Sequence, residues 1–418
     1  MAVKNDRKKQ CTFAVVTQPF SKKDIRDMDL RYGSADENVR KRSIQDVILH
    51  EKQRYEKLLS KEKGDRLREN DFLSGSLPEY ACGAGTEPVL LCPSHAGELA
   101  VIYSVNRLAA RGIRARCFSP VILLPPGTQE ETLRDLMRQI CRASCKNGVG
   151  IGEVRAEVTD AVTRPVVFGN AEGSRFFGNH PAVKEASEEV SSDGIGAGLS
   201  KACSGETSPS GAGISGGGEK DIILAGPVGM EGTYILVLEQ FRELQKRFPM
   251  SILTRMTGPG INLSVLEAAK AAVGAESEPD EEGESSMRAV PAMVSLGEGG
   301  FFTGLWELSK MTGCGLEADL QAVPILQETI EITDYFGINP YVMRSAGSLL
   351  IAARNGEKTL QYLRKEGFMA ARIGKLRAGR DKIIHNGEDV RYLDRPQTDS
   401  LTGWYRNKER DFEHSLEQ

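Results

Sequence analysis

The sequence lacks the features that define several large classes of protein. None of the apolar runs in its 418 residues is long enough to cross a bilayer, and no charged start followed by an apolar core marks a signal peptide. The formal net charge of -4 gives no excess of positive charge for binding nucleic acid. We therefore expect a cytoplasmic protein that binds neither a membrane nor nucleic acid.

The eight cysteines and five histidines are too dispersed along the chain to predict a metal site. No CxxC pair and no HExxH motif occurs. Cys141 and Cys145 lie one helical turn apart, but no further ligand follows at the spacing of a zinc site. We favour free, buried thiols in a reducing compartment and predict no metal-ligating residue.

Strand and helix patterns alternate in the first half of the chain, which argues for an α/β or α+β domain. Apolar residues at three- and four-residue steps predict helices over residues 37–63, 99–111 and 128–148. Short apolar runs predict strands over residues 88–93, 117–124, 156–162 and 164–168. We expect the helix that ends near Gly148 to open with a capping box of Thr128 and Glu131.

Two strand–glycine–helix units stand out in the second half. In the first, the strand 221–225 leads through a glycine loop at 226–233 into a helix over 234–244. In the second, the loop 295–300 feeds an amphipathic helix with Leu305, Leu308 and Met311 on one face, and the glycines at 313 and 315 end it. Free N–H groups at such helix starts suit a phosphate. For either unit taken alone this signal is weak, and for the second we favour an ordinary loop-to-helix turn. Neither unit has the Walker or the dinucleotide pattern.

The remaining segments of the second half predict a ferredoxin-like layer. A helix is expected over residues 325–336, followed by a β–α–β unit made of the strand 348–353, the helix 357–366 and the strand 370–373. The dipeptide Asn386-Gly387 between apolar residues predicts a tight hairpin.

Length and composition together predict two domains with inserts. Serine, glycine and glutamate dominate two segments that bury too little apolar surface to fold, and neither is expected to hold an active site. The predicted division is a polar extension at 1–33, an N-terminal domain at 34–186, a Gly/Ser-rich insert at 187–219, a C-terminal domain at 220–395 with an acidic insert at 276–287, and a polar tail at 396–418.

Six stretches, at residues 38–44, 97–112, 124–128, 157–166, 229–233 and 298–352, carry a resemblance to a known superfamily. In this order they resemble the aminoimidazole ribonucleotide (AIR) synthetase superfamily, and most closely its branch similar to the hydrogenase-maturation carbamoyl dehydratase. The resemblance implies α/β plus α+β architecture in two domains. An N-terminal domain contributes strands to a homodimer barrel, and a C-terminal domain with a ferredoxin-like layer packs against it.

The resemblance also implies ATP and magnesium in the cleft between the domains and a phosphoryl-transfer type of chemistry. It assigns no catalytic residue with certainty. The positions that it implies for nucleotide binding are Asn106, Arg107, Glu157, Gly229, Glu231, Gly232, Thr233, Glu298, Gly299 and Gly300.

The sequence departs from the family where magnesium would bind. The family's Asn-Asp is Asn106-Arg107 here, and its Asp-Pro-Thr-Xaa-Gly-Gly begins with Ser295. Magnesium requires hard oxygen ligands, so we predict weak binding of a metal–nucleotide complex. Arg107 could contact phosphate directly instead. Glu231 and Glu298 are equally well interpreted as helix caps or solvent-exposed carboxylates.

Three functions follow from the resemblance. The first is a divergent or non-catalytic homodimer that binds a nucleotide or a partner protein. The second is an active ATP-dependent enzyme, of the phosphoryl-transfer or the dehydratase/synthetase type, with a rearranged site. The third, a maturation factor that works through carbamoyl transfer, is disfavoured because no cysteine lies in the last residues, 414–418. The lost carboxylates place the first ahead of the second.

Overall fold

A computed structural model describes residues 29–30, 47–54, 57, 84–86, 88–89, 91–176, 219–258, 260–277 and 290–416. The predictions for residues 1–28, 187–218 and 278–287 lie outside these ranges. Within them, no helix has the length and apolar character that a membrane span needs. Of the helix predicted over residues 37–63, residues 47–54 and 57 are described, and they are helical.

The N-terminal part is a five-stranded sheet with helices on one face. Its strands are β2 (Ala84–Thr86), β3 (Ile113–Leu124), β5 (Gly150–Ile151), β6 (Arg155–Val158) and β7 (Val166–Arg175), in the order β2-β7-β3-β5 with β6 also parallel to β3. Two short strands, β1 (Asp29–Leu30) and β4 (Thr128–Gln129), pair with each other. The helices are α1 (residues 47–54), α2 (Ala96–Ala109) and α3 (Glu130–Asn147).

The two faces of this sheet differ in burial. On the face covered by α2 and α3, residues such as Phe118 are completely buried. The opposite face carries Val121 paired with Phe168 and Leu123 paired with Val166, and all four side chains are half-buried. One face of the sheet therefore has apolar side chains that this chain covers only in part.

The C-terminal part is a seven-stranded mixed sheet with the order β14-β13-β10-β12-β8-β11-β9. The strands are β8 (Lys220–Ala225), β9 (Ala292–Ser295), β10 (Gly315–Asp319), β11 (Leu349–Ala353), β12 (Ala370–Arg377), β13 (Lys382–Asn386) and β14 (Asp389–Tyr392). The helices are α4 (Met230–Glu239), α5 (Phe241–Leu244), α6 (Met250–Thr257), α7 (Leu266–Ser277), α8 (Gly300–Thr312), α9 (Gln327–Phe336), α10 (Gly356–Lys365) and α11 (Ser400–Leu416).

Two apolar cores hold these layers together. The larger core is continuous between the two parts, since it contains Leu99 of α2, Ile235 of α4 and Leu360 of α10. The smaller core lies on the other face of the C-terminal sheet, where α8 packs with Leu305 and Leu308 buried. The continuous core fixes the position of the N-terminal helices against the C-terminal sheet.

The expected α/β plus α+β architecture in two domains is confirmed, as is the β–α–β unit of the C-terminal layer. Strands β11 and β12 are parallel, α10 connects them, and β8 lies between them antiparallel to both. This is the split β–α–β arrangement of ferredoxin-like layers. The predicted hairpin is also present, although Asn386 belongs to β13 and the turn is formed by Gly387 and Glu388. The domain boundaries stay predictions.

Two predictions about local structure in the N-terminal part are wrong. Instead of a strand over 88–93, Val89 forms a single bridge to Val167, and Pro93–His95 is a turn of 3-10 helix. The capping box is absent because the Thr128 hydroxyl donates to the carbonyl of Pro125 at 2.6 Å. Gln129 is the N-cap of α3 instead, without a side-chain bond.

Several other elements begin or end at residues different from those predicted. The strand predicted over 156–162 ends at Val158, and its neighbour extends from 166 to 175 rather than ending at 168. The helix predicted from residue 234 begins at Met230, so the loop glycine Gly232 lies inside its first turn. Gly313 does end α8, with a left-handed φ of 70°, but Gly315 belongs to β10 and Met311 is 40 % exposed.

The residues of the predicted polar tail contain a helix. Helix α11 follows Asp399, which is 1 % exposed, and begins with Ser400 and the completely buried Leu401. Trp404 packs edge-on against Phe336 of α9 at 5.0 Å between ring centroids. A polar composition hid this helix because only one of its faces is apolar.

Candidate functional site

The two strand–glycine–helix units meet at one edge of the C-terminal sheet. Strands β8 and β9 both pair antiparallel with β11, and Ala225 and Ser295 lie on either side of Leu349. The two strands are therefore parallel, and both lead to helices that begin at the same edge. Gly229 and Gly299 are the N-cap residues of α4 and α8, and each has a φ of 75°. Only glycine adopts this left-handed backbone without strain.

The segment 343–348, which leads into β11, fills the space between the two helix starts. The Gly229 N–H donates to the Ser345 hydroxyl at 2.9 Å, and the Gly232 N–H donates to the Arg344 carbonyl at 3.0 Å. On the other side, the Ser345 N–H donates to the Gly297 carbonyl at 3.3 Å. Two of the backbone N–H groups at the start of α4, those of Gly229 and Gly232, are thus bonded to the segment 343–348.

The sequence analysis missed Arg344 and Ser345. Their positions have a signal in the sequence, because Ser345-Ala346-Gly347-Ser348 is a run of small residues directly before a buried strand. Small residues allow backbone segments to approach closely. The backbone of Gly300 also lies close to the segment 343–348, since a Cβ on Gly300 would lie 2.4 Å from the Met343 carbonyl oxygen.

Glu231 is a completely buried carboxylate with three protein partners. One of its oxygens accepts from the Tyr103 hydroxyl and from Arg344 Nε at 2.7 Å, and the other accepts from the Ala346 N–H at 2.8 Å. Tyr103 comes from α2, so this cluster joins the N-terminal helix to the C-terminal sheet. Its bonds show Glu231 as a structural carboxylate.

Arg344 balances the charge of Glu231. It is 5 % exposed, and its guanidinium carbon lies 5.0 Å from the centroid of the Tyr103 ring. Burial disfavours the charged guanidinium, but the adjacent Glu231 carboxylate raises the pKa of Arg344 above its ordinary value. The Arg344 guanidinium is therefore charged at neutral pH.

Glu298 has the opposite character. Its side chain is 61 % exposed, and one carboxylate oxygen lies 3.8 Å from Arg344 Nη1. The next residue, Gly299, donates its N–H to Asp399 Oδ2 at 2.8 Å. Burial raises the pKa of Asp399, and the bond from Gly299 opposes that rise. The start of α8 is therefore capped by a side chain from the C-terminal segment, while Glu298 beside it faces solvent.

Asn106 and Arg107 point in different directions, as neighbours on a helix must. Asn106 is 2 % exposed; its amide donates to the Leu263 carbonyl at 2.7 Å and accepts from the Val265 N–H at 2.9 Å. Arg107 is exposed, and its charge opposes the rise in pKa that burial gives Glu307. Asn106 thus holds the loop before α7.

Glu157 lies on the other sheet. It is exposed on β6, in register with Leu123 of β3. Parallel neighbours share a face, so Glu157 stands on the half-buried face of the N-terminal sheet. The structure brings most of the predicted positions together at one edge of the C-terminal sheet: Gly229, Glu231, Gly232, Thr233, Glu298, Gly299 and Gly300. Asn106 is joined to this edge through α2. Glu157 lies apart from them, on the N-terminal sheet.

A pocket of about 130 Å³ adjoins the start of α8. Its walls are Gly299, Phe302 and Thr303 from α8 and its cap, residues 339, 342 and 384, and the stretch from Arg391 to Gln397, which begins in β14. The residues that the structure describes include no group of three or more histidine, cysteine or acidic side chains placed to hold a metal ion. The charged side chains that line the pocket are Arg391, Asp394 and Arg395.

A family model matches a large part of the C-terminal half of the chain. Residues 222–386 match the model described as AIR synthase related protein, C-terminal domain. This match confirms the resemblance to the AIR synthase-related superfamily for the C-terminal part of the chain. The match includes both glycine units and the segment 343–348, and it ends before β14.

The solved structures that this chain is similar to include the hydrogenase maturation protein HypE. HypE of E. coli is 16% identical with a TM-score of 0.57, covering 86% of this chain and 98% of that one. HypE in complex with ATP is 18% identical with a TM-score of 0.57, covering 88% and 98%. A chain of the HypE-HypF complex is 19% identical with a TM-score of 0.54, covering 75% and 90%. These identities establish the fold alone, and no curated protein matches the sequence.

Proposed function

We propose that this protein binds a nucleotide, with ATP as the expected ligand, and has lost the magnesium-dependent chemistry of its superfamily. Its fold is that of HypE, which has been solved in complex with ATP. The proposed site is the glycine loop before α8, at Glu298 and Gly299, together with the adjoining pocket.

The burial of Glu231 is the observation that carries this proposal. Both carboxylate oxygens accept hydrogen bonds from protein, and the group is 0% exposed, so it offers magnesium no ligand. The Asn106 amide is likewise occupied, and Arg107 contributes a cation. Of the predicted positions, Glu298 and Glu157 keep exposed carboxylates, and they lie on different sheets. Magnesium prefers several oxygen ligands around one point, which these residues do not supply.

An active enzyme of the phosphoryl-transfer or dehydratase/synthetase type is the second candidate. Glu298 favours it, because an exposed carboxylate beside Arg344 stands at the loop where the superfamily's own acidic residue is expected. One carboxylate and substrate phosphates are enough for some magnesium sites.

A homodimer is part of the proposal. The half-buried face with Val121, Leu123, Val166 and Phe168 is apolar, and a second copy of the sheet would cover it. Replacing Phe168 with aspartate should dissociate the dimer, because it places a charge in that interface. Light scattering after gel filtration would show a monomer, whereas an unchanged dimer would contradict this interface.

A protein partner and a cytoplasmic location complete the proposal. HypE has been solved with HypF, which supports a search for a protein partner of this chain as well. The described cysteines are all free, which fits a reducing compartment.

Thermal unfolding and ATP turnover together test the function. ATP should raise the unfolding temperature equally with magnesium and with a chelator, and no phosphate should be released. A ligand at a hundred times its Kd stabilises the fold by about 2.7 kcal/mol, which is easily measured. Magnesium-dependent turnover that Glu298→Gln abolishes and Glu267→Gln leaves intact would establish the enzyme instead.

A further inference from the structure

We infer that Arg391 and Arg395 bind a phosphate group in the pocket beside Gly299, without a metal ion. This inference names the phosphate-binding side chains of the proposed nucleotide site and so rests on the proposed function. Both arginines line the pocket and both are exposed. Guanidinium groups bind phosphate with two parallel N–H bonds, which gives strength and direction.

The arginines are available for an anion. Ion pairs join many arginines of the described residues to carboxylates, for example Arg354 to Glu276 and Arg377 to Glu317. Within the same residues, neither Arg391 nor Arg395 has a carboxylate within 4.0 Å. An external anion would therefore gain both guanidinium groups without breaking an internal pair.

Aromatic rings hold one of the arginines in place. The guanidinium carbon of Arg391 lies 5.5 Å from the centroid of the Phe302 ring. Phe302 in turn stacks on Tyr341, with centroids 5.5 Å apart and planes 18° apart. A cation over an aromatic face is stabilised there, and its N–H edge remains open for hydrogen bonds.

Side chains, rather than the helix end, supply the positive charge. The N–H of Gly299 is already bonded to Asp399, so the cap of α8 contributes little to an anion. Asp394 also lines the pocket and opposes binding. Two cations against one carboxylate leave a net positive pocket, and Asp394 becomes a sensitive test residue.

The arginines belong to this chain's own C-terminal segment. The family match ends at residue 386, and both arginines follow it. In a protein whose metal-binding carboxylates are lost, two guanidinium groups beside the glycine loop would do what the metal does elsewhere, which is to neutralise phosphate charge.

Calorimetric titration with inorganic phosphate, at constant ionic strength, tests the inference directly. Wild type should bind one phosphate. The double variant Arg391→Ala, Arg395→Ala should bind at least about tenfold more weakly, because two charge-assisted contacts are lost. Asp394→Asn should bind more tightly than wild type. Arg364→Ala is the matched control, since this exposed arginine lies on α10, on the opposite face of the sheet.

Titrations with acetate and with ATP complete the experiment. Tighter binding of acetate than phosphate, or phosphate binding unchanged in both the double and the Asp394 variants, would overturn the inference. If phosphate binds as expected and ATP does not, the nucleotide function fails and the phosphate site stands. If ATP binds equally well to the double variant, the function stands and the arginine site fails. The gain expected for Asp394→Asn keeps the test decisive even if the double variant does not fold.

Discussion

The two glycine units of the C-terminal sheet share a backbone geometry and differ in what surrounds them. Gly229 and Gly299 have the same φ, and each begins a helix beside β11. Around Gly229, the carboxylate of Glu231 is buried and bonded to three groups, one of them from the N-terminal part. Around Gly299, Glu298 faces solvent and a pocket with two arginines adjoins the helix.

The same strand–glycine–helix motif therefore has a structural role in one place and a candidate binding role in the other. The first unit, which we name the closed unit (residues 226–233), uses its polar groups to join the two parts of the protein. The second, the open unit (residues 295–303), keeps polar groups that a ligand can reach. The N–H groups of Gly229 and Gly299 are both bonded to protein, so a glycine loop that starts a helix supports a phosphate site only when side chains that can bind the anion lie beside it.

The largest expected effect is the loss of Glu231. Glu231→Gln leaves the buried Arg344 charge without its counter-ion, which should lower the free energy of unfolding by about 3–5 kcal/mol. The corresponding change in the open unit, Glu298→Gln, should cost about 0.5 kcal/mol or less, because exposed pairs contribute little. Urea denaturation of both variants measures the difference, and equal losses would show that the two units are not distinct.

A smaller effect is expected when the close contact between Gly300 and the backbone of Met343 is filled by a methyl group. Gly300→Ala places a methyl group against the Met343 carbonyl and forces a left-handed alanine, for a total cost of about 2–3 kcal/mol. Gly313→Ala is the control, because Gly313 has a similar φ but no atom within 4 Å of the added Cβ, so that about 1 kcal/mol is expected. The difference between the melting temperatures of the two variants measures the cost of the steric contact, because both variants share the cost of a left-handed alanine. Identical melting temperatures would contradict the close approach of residues 300 and 343.

The smallest effect concerns the cap of the open unit and depends on pH. Burial raises the pKa of Asp399 in the folded protein, so the folded chain binds more protons than the unfolded chain between the two pKa values. The stability that Asp399 contributes should therefore fall as the pH rises through this window and stay constant above it.

Asp399→Asn removes this titration. The stability lost on substitution should be greater at pH 3 than at pH 7, as measured by urea denaturation at both values. A loss that increases with pH would mean that the pKa of Asp399 is lowered by its bonds to Gly299 and Thr402.

Sequence patterns predicted the elements well and the partners poorly. The stop at Gly313, the split β–α–β unit and the two glycine units follow from local chemistry, and all are present. The role of Glu231 does not, because Tyr103 and Arg344 lie 128 and 113 residues away along the chain. A carboxylate at a helix start looks the same in the sequence whether it is buried or free.

The same limit explains the missed pocket. Arg391 lies on β14 of the predicted hairpin and Arg395 follows it within the predicted C-terminal domain, but no pattern in the sequence indicated that they border a pocket. The pairing of β14 with β13 places Arg391 near α8. The segment continues from there to α11, where Leu401 is buried and Trp404 packs against Phe336. Such a juxtaposition depends on tertiary packing that no local pattern encodes.

Hydrogen exchange with and without ATP tests the distinction between the closed and the open unit most directly. We expect ATP, with magnesium chelated, to slow exchange of the amides at residues 297–303 and to leave residues 229–233 unchanged. The exposed Glu298 and the pocket adjoin the first set, whereas the buried Glu231 cluster surrounds the second. Protection confined to residues 229–233, or none in either unit, would contradict this distinction.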